Sequence, residues 1–164
     1  MVNFKACSGK TTTVAQLAQN LTLPGHRVLA IVLDPQTSLT SLFGIQPEID
    51  QFPSLYGTIR YDEGRKSITA VIRHTNFPGL DVVPASLKLQ VYEYYTPLAT
   101  QSKTSGEGKV FWNRIGKALQ DVDGRYDLVV VDCPPQLGSF TLTALAAVNG
   151  EILELIHTSP GRAK

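Results

Sequence analysis

Two short and almost uninterrupted apolar runs constrain the fold of this chain more than any other feature. Residues 27–33 read Arg-Val-Leu-Ala-Ile-Val-Leu, and residues 126–132 read Tyr-Asp-Leu-Val-Val-Val-Asp. Strands of parallel sheets have this pattern because helices cover both of their faces. We therefore predict that both runs are fully buried strands of a parallel sheet.

Helical and extended patterns alternate along the chain. The first helix is predicted from residue 9 or 10 to Leu21, because Val14, Leu17, Ala18 and Leu21 recur at helical spacing. Further helices are predicted over 38–43, 67–74, 87–95, 110–122 and 141–148, a helical turn over 55–59, strands over 79–84 and 151–156, and a flexible loop over 100–108. This alternation favours an α/β fold, a parallel sheet with helices on both faces.

Length and composition narrow the function classes. A chain of 164 residues is expected to form one domain with a real core. The net charge of +1 gives no electrostatic case for binding nucleic acid or acidic membranes. The sequence contains no apolar run of membrane-spanning length and no signal-peptide pattern, so we expect a cytoplasmic protein without membrane association. Arg60, Arg65, Lys66 and Arg73 form a loose basic group, which we interpret as a solvated face.

The segment Gly9-Lys10-Thr11 precedes the first predicted helix and is typical of a phosphate-binding loop. The backbone N–H groups of such a loop and of the helix N-terminus form a cradle for polyphosphate. In this motif the lysine reaches the β- and γ-phosphates, and the first threonine hydroxyl ligates magnesium. The alternative is a helix cap that binds no ligand.

A second lysine, Lys5, stands five residues before Lys10, as in the deviant Walker A loop Lys-Gly-Gly-x-Gly-Lys-Thr. Here Ala6 and Cys7 occupy the positions of the first two glycines. A non-glycine residue forced into the left-handed region costs about 1–2 kcal/mol. Since about 1.4 kcal/mol is tenfold in affinity, we predict roughly tenfold to thousandfold weaker nucleotide binding.

Each apolar run is followed or ended by an aspartate, Asp34 or Asp132. Ligands of open α/β sheets bind beyond the carboxyl ends of the strands. A carboxylate at that place suits a magnesium site, so Asp132 is predicted to hold the metal. Asp34 is predicted to orient or deprotonate the attacking water in phosphoryl transfer. The alternative for either aspartate is a simple turn initiator.

These motifs together resemble those of the ParA/MinD class of deviant Walker A ATPases. The residues that carry the resemblance are Lys5, Gly9-Lys10-Thr11-Thr12, Leu33-Asp34-Pro35-Gln36 and Val131-Asp132-Cys133-Pro134-Pro135. Residues 38–48, 55–62 and 77–81 are similar to the RepA partition ATPases of RepABC-type plasmids. The likeness runs from about residue 2 to about residue 150 and implies a P-loop NTPase-like fold.

The resemblance implies a function in plasmid partition (DNA segregation). Such proteins bind ATP and Mg²⁺, and they dimerise with nucleotide between the subunits. They hydrolyse ATP when stimulated by a centromere-binding partner, and their ATP-bound dimers bind DNA. For this chain it implies a homodimer or a dimer with a full-length relative.

The resemblance also implies a role for each matching residue. Lys10 would hold the phosphates of its own subunit, and Lys5 would reach those of the partner subunit. Thr11 would ligate magnesium, and Asp132 would hold it through water. Asp34 would position the attacking water. Ser8, Gly9 and Thr12 complete the implied nucleotide-binding set, with Thr12 near the α-phosphate.

Several positions depart from the family pattern. Val32 stands where the family usually has an aspartate, and only Met1 to Phe4 remain for a first strand. The likeness fades after Asn149, and the helix-turn-helix region found at the N-terminus of longer members does not occur. We therefore interpret residues 1–164 as one partial domain, incomplete at both ends, which argues against DNA binding by this fragment.

The motifs and their departures are consistent with two functions. The first is a partition ATPase weakened by its altered phosphate loop. The second is a non-catalytic remnant that at most dimerises with a full-length relative. An iron–sulfur protein with Cys133 as a ligand is disfavoured, because one cysteine near Asp132 is too little to hold a cluster. The other cysteine, Cys7, forms with Cys133 neither a disulfide framework nor a zinc motif.

Overall fold

The computed structural model describes residues 9–46, 53–101 and 108–147. Within these ranges the strands are β1 (Val28–Val32), β2 (Arg73–His74), β3 (Leu80–Val83) and β4 (Leu128–Asp132). The helices are α1 (Lys10–Thr22), α2 (Ser38–Leu42), α3 (Tyr56–Ile59), α4 (Leu89–Gln101), α5 (Arg114–Leu119) and α6 (Ser139–Ala147). Short 3₁₀ segments cover Ile68–Ala70, Gly108–Asn113 and Gln120–Val122.

The four described strands form one sheet in the order β2-β3-β1-β4. Strand β1 is parallel to β3 and to β4, and Ala30 lies opposite Val82 on one side and Val130 on the other. Strand β2 is antiparallel to β3, with Arg73 opposite Val82. The predicted α/β fold is confirmed, although the sheet is mixed rather than purely parallel.

Strand β1 lies at the centre of the described sheet, and all five of its residues are buried. The prediction of a strand covered on both faces is therefore confirmed for β1. It is wrong for β4, where Leu128 and Val129 are 37% and 39% exposed and only the last two residues, Val131 and Asp132, are buried. Since β4 is the outermost described strand on its side, β1 is the one described strand it pairs with.

The predicted helix over 67–74 is also wrong. A 3₁₀ turn occupies Ile68–Ala70, and Arg73–His74 forms β2. The turn into β3 is closed by Thr75, whose backbone N–H and hydroxyl both donate to the carbonyl oxygen of Leu80, at 3.3 and 2.8 Å. These bonds between the two strands satisfy the backbone in a hairpin, which the local helical spacing of the sequence does not reveal.

The other described helices agree with prediction in position and differ in extent. Helices α1, α2, α3 and α6 occupy the predicted places. Helix α4 continues through Pro97 to Gln101, beyond the predicted end at Tyr95. The predicted helix over 110–122 is divided into a 3₁₀ segment, α5 and a second 3₁₀ segment. The predicted strand over 151–156 and most of the predicted loop over 100–108 lie outside the described residues.

In the described ranges, none of the helices has both the length and the apolar character that crossing a bilayer requires.

Candidate nucleotide site

The carboxyl ends of β1 and β4 and the start of α1 lie together. Val32, the last residue of β1, is in register with Asp132, the last residue of β4. The backbone N–H of Leu33 then donates to the carbonyl oxygen of Asp132 at 2.8 Å. The two strands therefore bring Asp34 and Asp132 to the same edge of the sheet, as the sequence predicts.

Helix α1 begins at this edge behind a glycine that adopts a left-handed conformation. Gly9 has φ of 82°, and a Cβ atom built on it would meet nothing within 4 Å. The backbone angle, not a lack of space, therefore favours glycine here. The first intrahelical bond runs from the Thr13 N–H to the Gly9 carbonyl at 2.8 Å. The N–H groups of residues 10–12 start the helix and have no acceptor within it, as is general for the first turn.

The Asp132 side chain is the most buried acidic group of the site. It is 1% exposed, and its Oδ2 accepts a hydrogen bond of 3.2 Å from the Thr11 hydroxyl. Its Oδ1 is buried without a hydrogen-bond partner among the described residues. A buried carboxylate oxygen without a partner is costly unless a cation or a donor compensates it.

Burial raises the pKa of Asp132 to about 6, and repulsion from Asp34 acts in the same direction. The Thr11 hydrogen bond and the charge of Lys10 oppose this rise. The carboxylate is therefore mainly ionised at pH 7, at an energetic cost that a nearby cation would relieve.

The donor set of Thr11 and Asp132 fits Mg²⁺, which prefers oxygen ligands. Among the described residues, no group of three or more His, Cys, Asp or Glu side chains is arranged to hold a metal ion. Mg²⁺ is often held by only one or two carboxylates together with phosphate oxygens. The site therefore fits a metal ion that arrives with a phosphate ligand better than one held by protein alone.

Asp34 has a structural role as well as a place in the cleft. Its Oδ1 accepts from the Gln36 N–H at 2.9 Å, and its carbonyl oxygen accepts from the Thr37 N–H at 3.0 Å. These bonds form the turn that the alternative interpretation of Asp34 predicts. Thr37, with φ of 59°, is the one described non-glycine residue in the left-handed region. The turn between β1 and α2 thus holds a strained backbone at the rim of the site.

An open cleft of about 690 Å³ joins these elements. Its lining residues are Gly9, Lys10, Thr11, Thr12, Asp34, Gln36, Ser38, Ser41, Leu42 and Pro135. Lys10, only 7% exposed, extends from the first turn of α1. The volume lies within the range of about 300–1,000 Å³ that is usual for small-molecule sites.

A model of the AAA domain family matches residues 1–159 of the chain. The chain belongs to this family. Its relatives include "Putative replication protein A" of Sinorhizobium fredii, 60% identical over 157 residues. That match covers 96% of this chain and 38% of the relative, so the chain spans less than half of the relative's length.

Two further matches place this AAA-domain chain more closely. The chromosome-partitioning ATPase Soj of Treponema pallidum is 31% identical over 94% of this chain and 54% of its own length. This match supports the predicted ParA-like membership, which is thereby confirmed. Cobyrinic acid a,c-diamide synthase of Mycobacterium smegmatis, solved with a bound ATP analog and magnesium, is 33% identical with a TM-score of 0.74. The match covers 89% of this chain and 54% of the synthase chain. This likeness confirms the P-loop NTPase-like fold.

The AAA-domain chain has a second cavity next to the cleft, which the sequence did not predict. It measures about 460 Å³, shares Asp34, Gln36 and Pro135 with the cleft, and adds Glu93 from α4. Burial raises the pKa of Glu93, and the Ser139 N–H at the start of α6 donates to its carboxylate. A Cβ atom on Gly138 would lie 2.1 Å from Glu93 Oε1, so the missing side chain makes room for this carboxylate.

Cys133 follows Asp132 directly and is 1% exposed. Burial raises the pKa of its thiol to about 11, so the thiol is protonated and unreactive at neutral pH. The predicted residues Lys5 and Ser8, together with Ala6 and Cys7, lie outside the described residues, and their roles stay predictions.

Proposed function

We propose that this chain binds ATP together with Mg²⁺ in the cleft at the carboxyl ends of β1 and β4, as a ParA-like protein of DNA partition. The observation that carries the proposal is the buried carboxylate of Asp132. It accepts from Thr11 on the phosphate loop, and its second oxygen has no partner among the described residues. Such an arrangement is expected where a metal ion completes a site.

Thr11 and Asp132 are the residues that would hold the metal ion. When bound, Mg²⁺ would supply charge neutralisation to the phosphates and to the developing negative charge of phosphoryl transfer. Asp132, at the end of a sheet strand, and Thr11, in the first turn of α1, are both carried by regular secondary structure. Ligands placed on rigid elements are positioned more accurately than ligands on loops.

The start of α1 would bind the phosphates. Its first N–H groups and the positive end of its dipole favour an anion, and Lys10 adds a full charge in a nearly buried place. Gly9 and Thr12 also line the cleft, and Ser8 completes the proposed set.

Asp34 would act on the attacking water, while the Gln36 N–H holds its carboxylate in place. Lys5 would reach the phosphates of a partner subunit. The role of Asp34 concerns hydrolysis and that of Lys5 concerns a dimer, whereas the proposed binding by one chain requires only the loop, Lys10 and Asp132.

The partition role rests on relatives such as the chromosome-partitioning ATPase Soj. By the same argument the proposed partners are a second copy of the chain or a full-length relative, and a centromere-binding partition protein.

Isothermal titration of the full chain with ATP, with and without Mg²⁺, tests the proposal. We expect saturable heat that depends on Mg²⁺ and that Lys10→Ala abolishes, while Lys88→Ala, which removes an exposed lysine outside the cleft, leaves it unchanged. Circular dichroism of each variant establishes that it is folded. Absence of heat at millimolar ATP from the folded chain would reject the proposal and favour the non-catalytic remnant.

A further inference from the structure

A small cavity of about 210 Å³ lies between α3, α5 and the segment that precedes the Ile68–Ala70 turn. Thr58, Arg65, Lys66, Arg114, Lys117 and Asp121 line it. None of its lining residues lines the nucleotide cleft or the cavity beside Glu93. It is therefore a separate site.

The cavity wall is strongly positive. Four cationic residues and one acidic residue, Asp121, line it, and the Ser67 hydroxyl already donates to the Asp121 carboxylate at 2.7 Å. The whole chain has a net charge of only +1, so this concentration of positive charge is local. A concave site lined by one sign of charge attracts counter-ions of the other sign.

One residue that lines the cavity, Thr58, carries a buried hydroxyl group. Thr58 is 6% exposed, and its Oγ1 has no hydrogen-bond partner among residues 9–46, 53–101 and 108–147. Buried hydroxyl groups are nearly always hydrogen-bonded, so an exception needs an explanation such as an unseen ligand. A hydroxyl group can donate one hydrogen bond to an anion oxygen.

The Arg114 guanidinium is held in position before any ligand binds. Its Nη1 donates to the carbonyl oxygens of Ile59 and Arg60 at 3.1 and 2.9 Å. Its central carbon lies 4.1 Å from the centroid of the Tyr61 ring, and the residue is 9% exposed. Because the side chain is already ordered, binding beside it costs little additional conformational entropy.

We propose that this cavity binds a phosphate-sized oxyanion, either free phosphate or the phosphate group of a small phosphomonoester. The Thr58 hydroxyl donates to one of its oxygens, and Arg65, Lys66, Arg114 and Lys117 supply the compensating charge. The volume lies below the range of about 300–1,000 Å³ that is usual for sites holding larger ligands, so the cavity suits one phosphate group rather than a whole nucleotide. Arg65 and Lys66 are exposed, which agrees with the solvated face expected from the sequence, and the proposal adds a role in phosphate binding.

The test is a titration of the full ¹⁵N-labelled chain with inorganic phosphate at constant ionic strength, followed by amide chemical shifts. We expect saturable shifts at residues 57–58, 65–68 and 114–121. Thr58→Val keeps the shape of the side chain and removes the hydroxyl. Loss of a hydrogen bond to a charged group should weaken phosphate binding about tenfold. Lys117→Gln should also weaken it, whereas Lys88→Gln, outside the cavity, should not.

Three results of this titration would overturn the proposal. They are shifts that do not saturate, equal binding by the chain and Thr58→Val, and shifts confined to residues 10–13 and 34–42 of the nucleotide cleft. Glucose 6-phosphate and a short DNA duplex serve as further probes. Binding of the sugar phosphate at residues 57–58, 65–68 and 114–121 supports the proposal. Tighter binding of DNA at these residues would overturn it, because the ligand would then be nucleic acid and not a small anion. Because the two sites have separate amides, failure here is distinguishable from failure to bind ATP.

Discussion

The Thr11 hydroxyl and the Asp132 carboxylate, 121 positions apart in the sequence, are joined by a hydrogen bond of 3.2 Å. This bond connects the first turn of α1, where Thr11 lines the cleft, to the last residue of β4. It satisfies only one oxygen of a carboxylate that is 1% exposed. The site is therefore assembled at a cost in stability, which gives Asp132 a measurable signature in the ligand-free chain.

We predict that Asp132→Asn stabilises the metal-free chain at pH 7. The pKa of Asp132 is displaced from 3.8 to about 6 mainly by burial, and this displacement corresponds to a penalty of about 3 kcal/mol for the ionised form. Since the folded state binds the proton more tightly, the penalty is absent below about pH 4, grows between pH 4 and 6, and is complete above pH 6. The amide carries no charge but still buries polar atoms, so we expect a gain of about 1–3 kcal/mol.

Urea unfolding in EDTA at pH 4, 5, 6 and 7 measures this difference. The free energies of unfolding of the two proteins should diverge as the pH rises and be most similar at pH 4. A constant difference between them across this range would show that Asp132 does not titrate as its burial requires.

A second prediction compares two glycines with opposite requirements. Gly79 has φ of 81°, and a Cβ atom there would lie 3.2 Å from the His26 carbonyl oxygen. Gly79→Ala should therefore destabilise the chain by about 1–2 kcal/mol or more. Gly57 in α3 has no such angle, and its added Cβ would be 4.0 Å from Val71 Cγ1. Gly57→Ala should be neutral or stabilising by up to about 1 kcal/mol. Thermal unfolding of both variants measures the two effects, and an equal change in stability would contradict the prediction.

The features that the sequence predicted are those determined by local pattern. Residues 28–32 form a strand covered on both faces, and an uninterrupted apolar run is enough to indicate this. The Gly-Lys-Thr motif similarly marks the start of α1. The sequence also predicts that Asp34 and Asp132 lie at the same edge of the sheet, because parallel neighbouring strands end there.

The features that sequence reasoning missed depend on contacts between separate elements, which a local pattern does not encode. Val71 and Ile72 match a helical period, yet the hairpin bonds of Thr75 to Leu80 determine the structure around them. The exposure of Leu128 depends on the place of β4 in the sheet, which its apolar run does not encode. The position of Glu93 beside the cleft depends on the missing side chain of Gly138, a residue on another segment.

A third prediction concerns the reactivity of Cys133. Its thiol is 1% exposed with a pKa raised to about 11, mainly by burial. At pH 8 only about one thiol in a thousand is ionised, and the thiolate is the reactive form. We expect iodoacetamide to leave Cys133 unmodified in the folded chain and to alkylate it in urea, as peptide mass spectrometry would show. Stoichiometric alkylation under native conditions would contradict the buried placement.

The last prediction concerns the altered phosphate loop. Restoring both glycines with Ala6→Gly and Cys7→Gly should raise ATP affinity at least about tenfold, because glycine allows positive φ and a close approach of the backbone to phosphate. The measurement is a titration with Mg²⁺ and ATP of the natural and the restored chain. Adding Lys10→Ala to the restored chain is the control, since it should remove the gained affinity. An unchanged affinity would show that Ala6 and Cys7 do not limit binding.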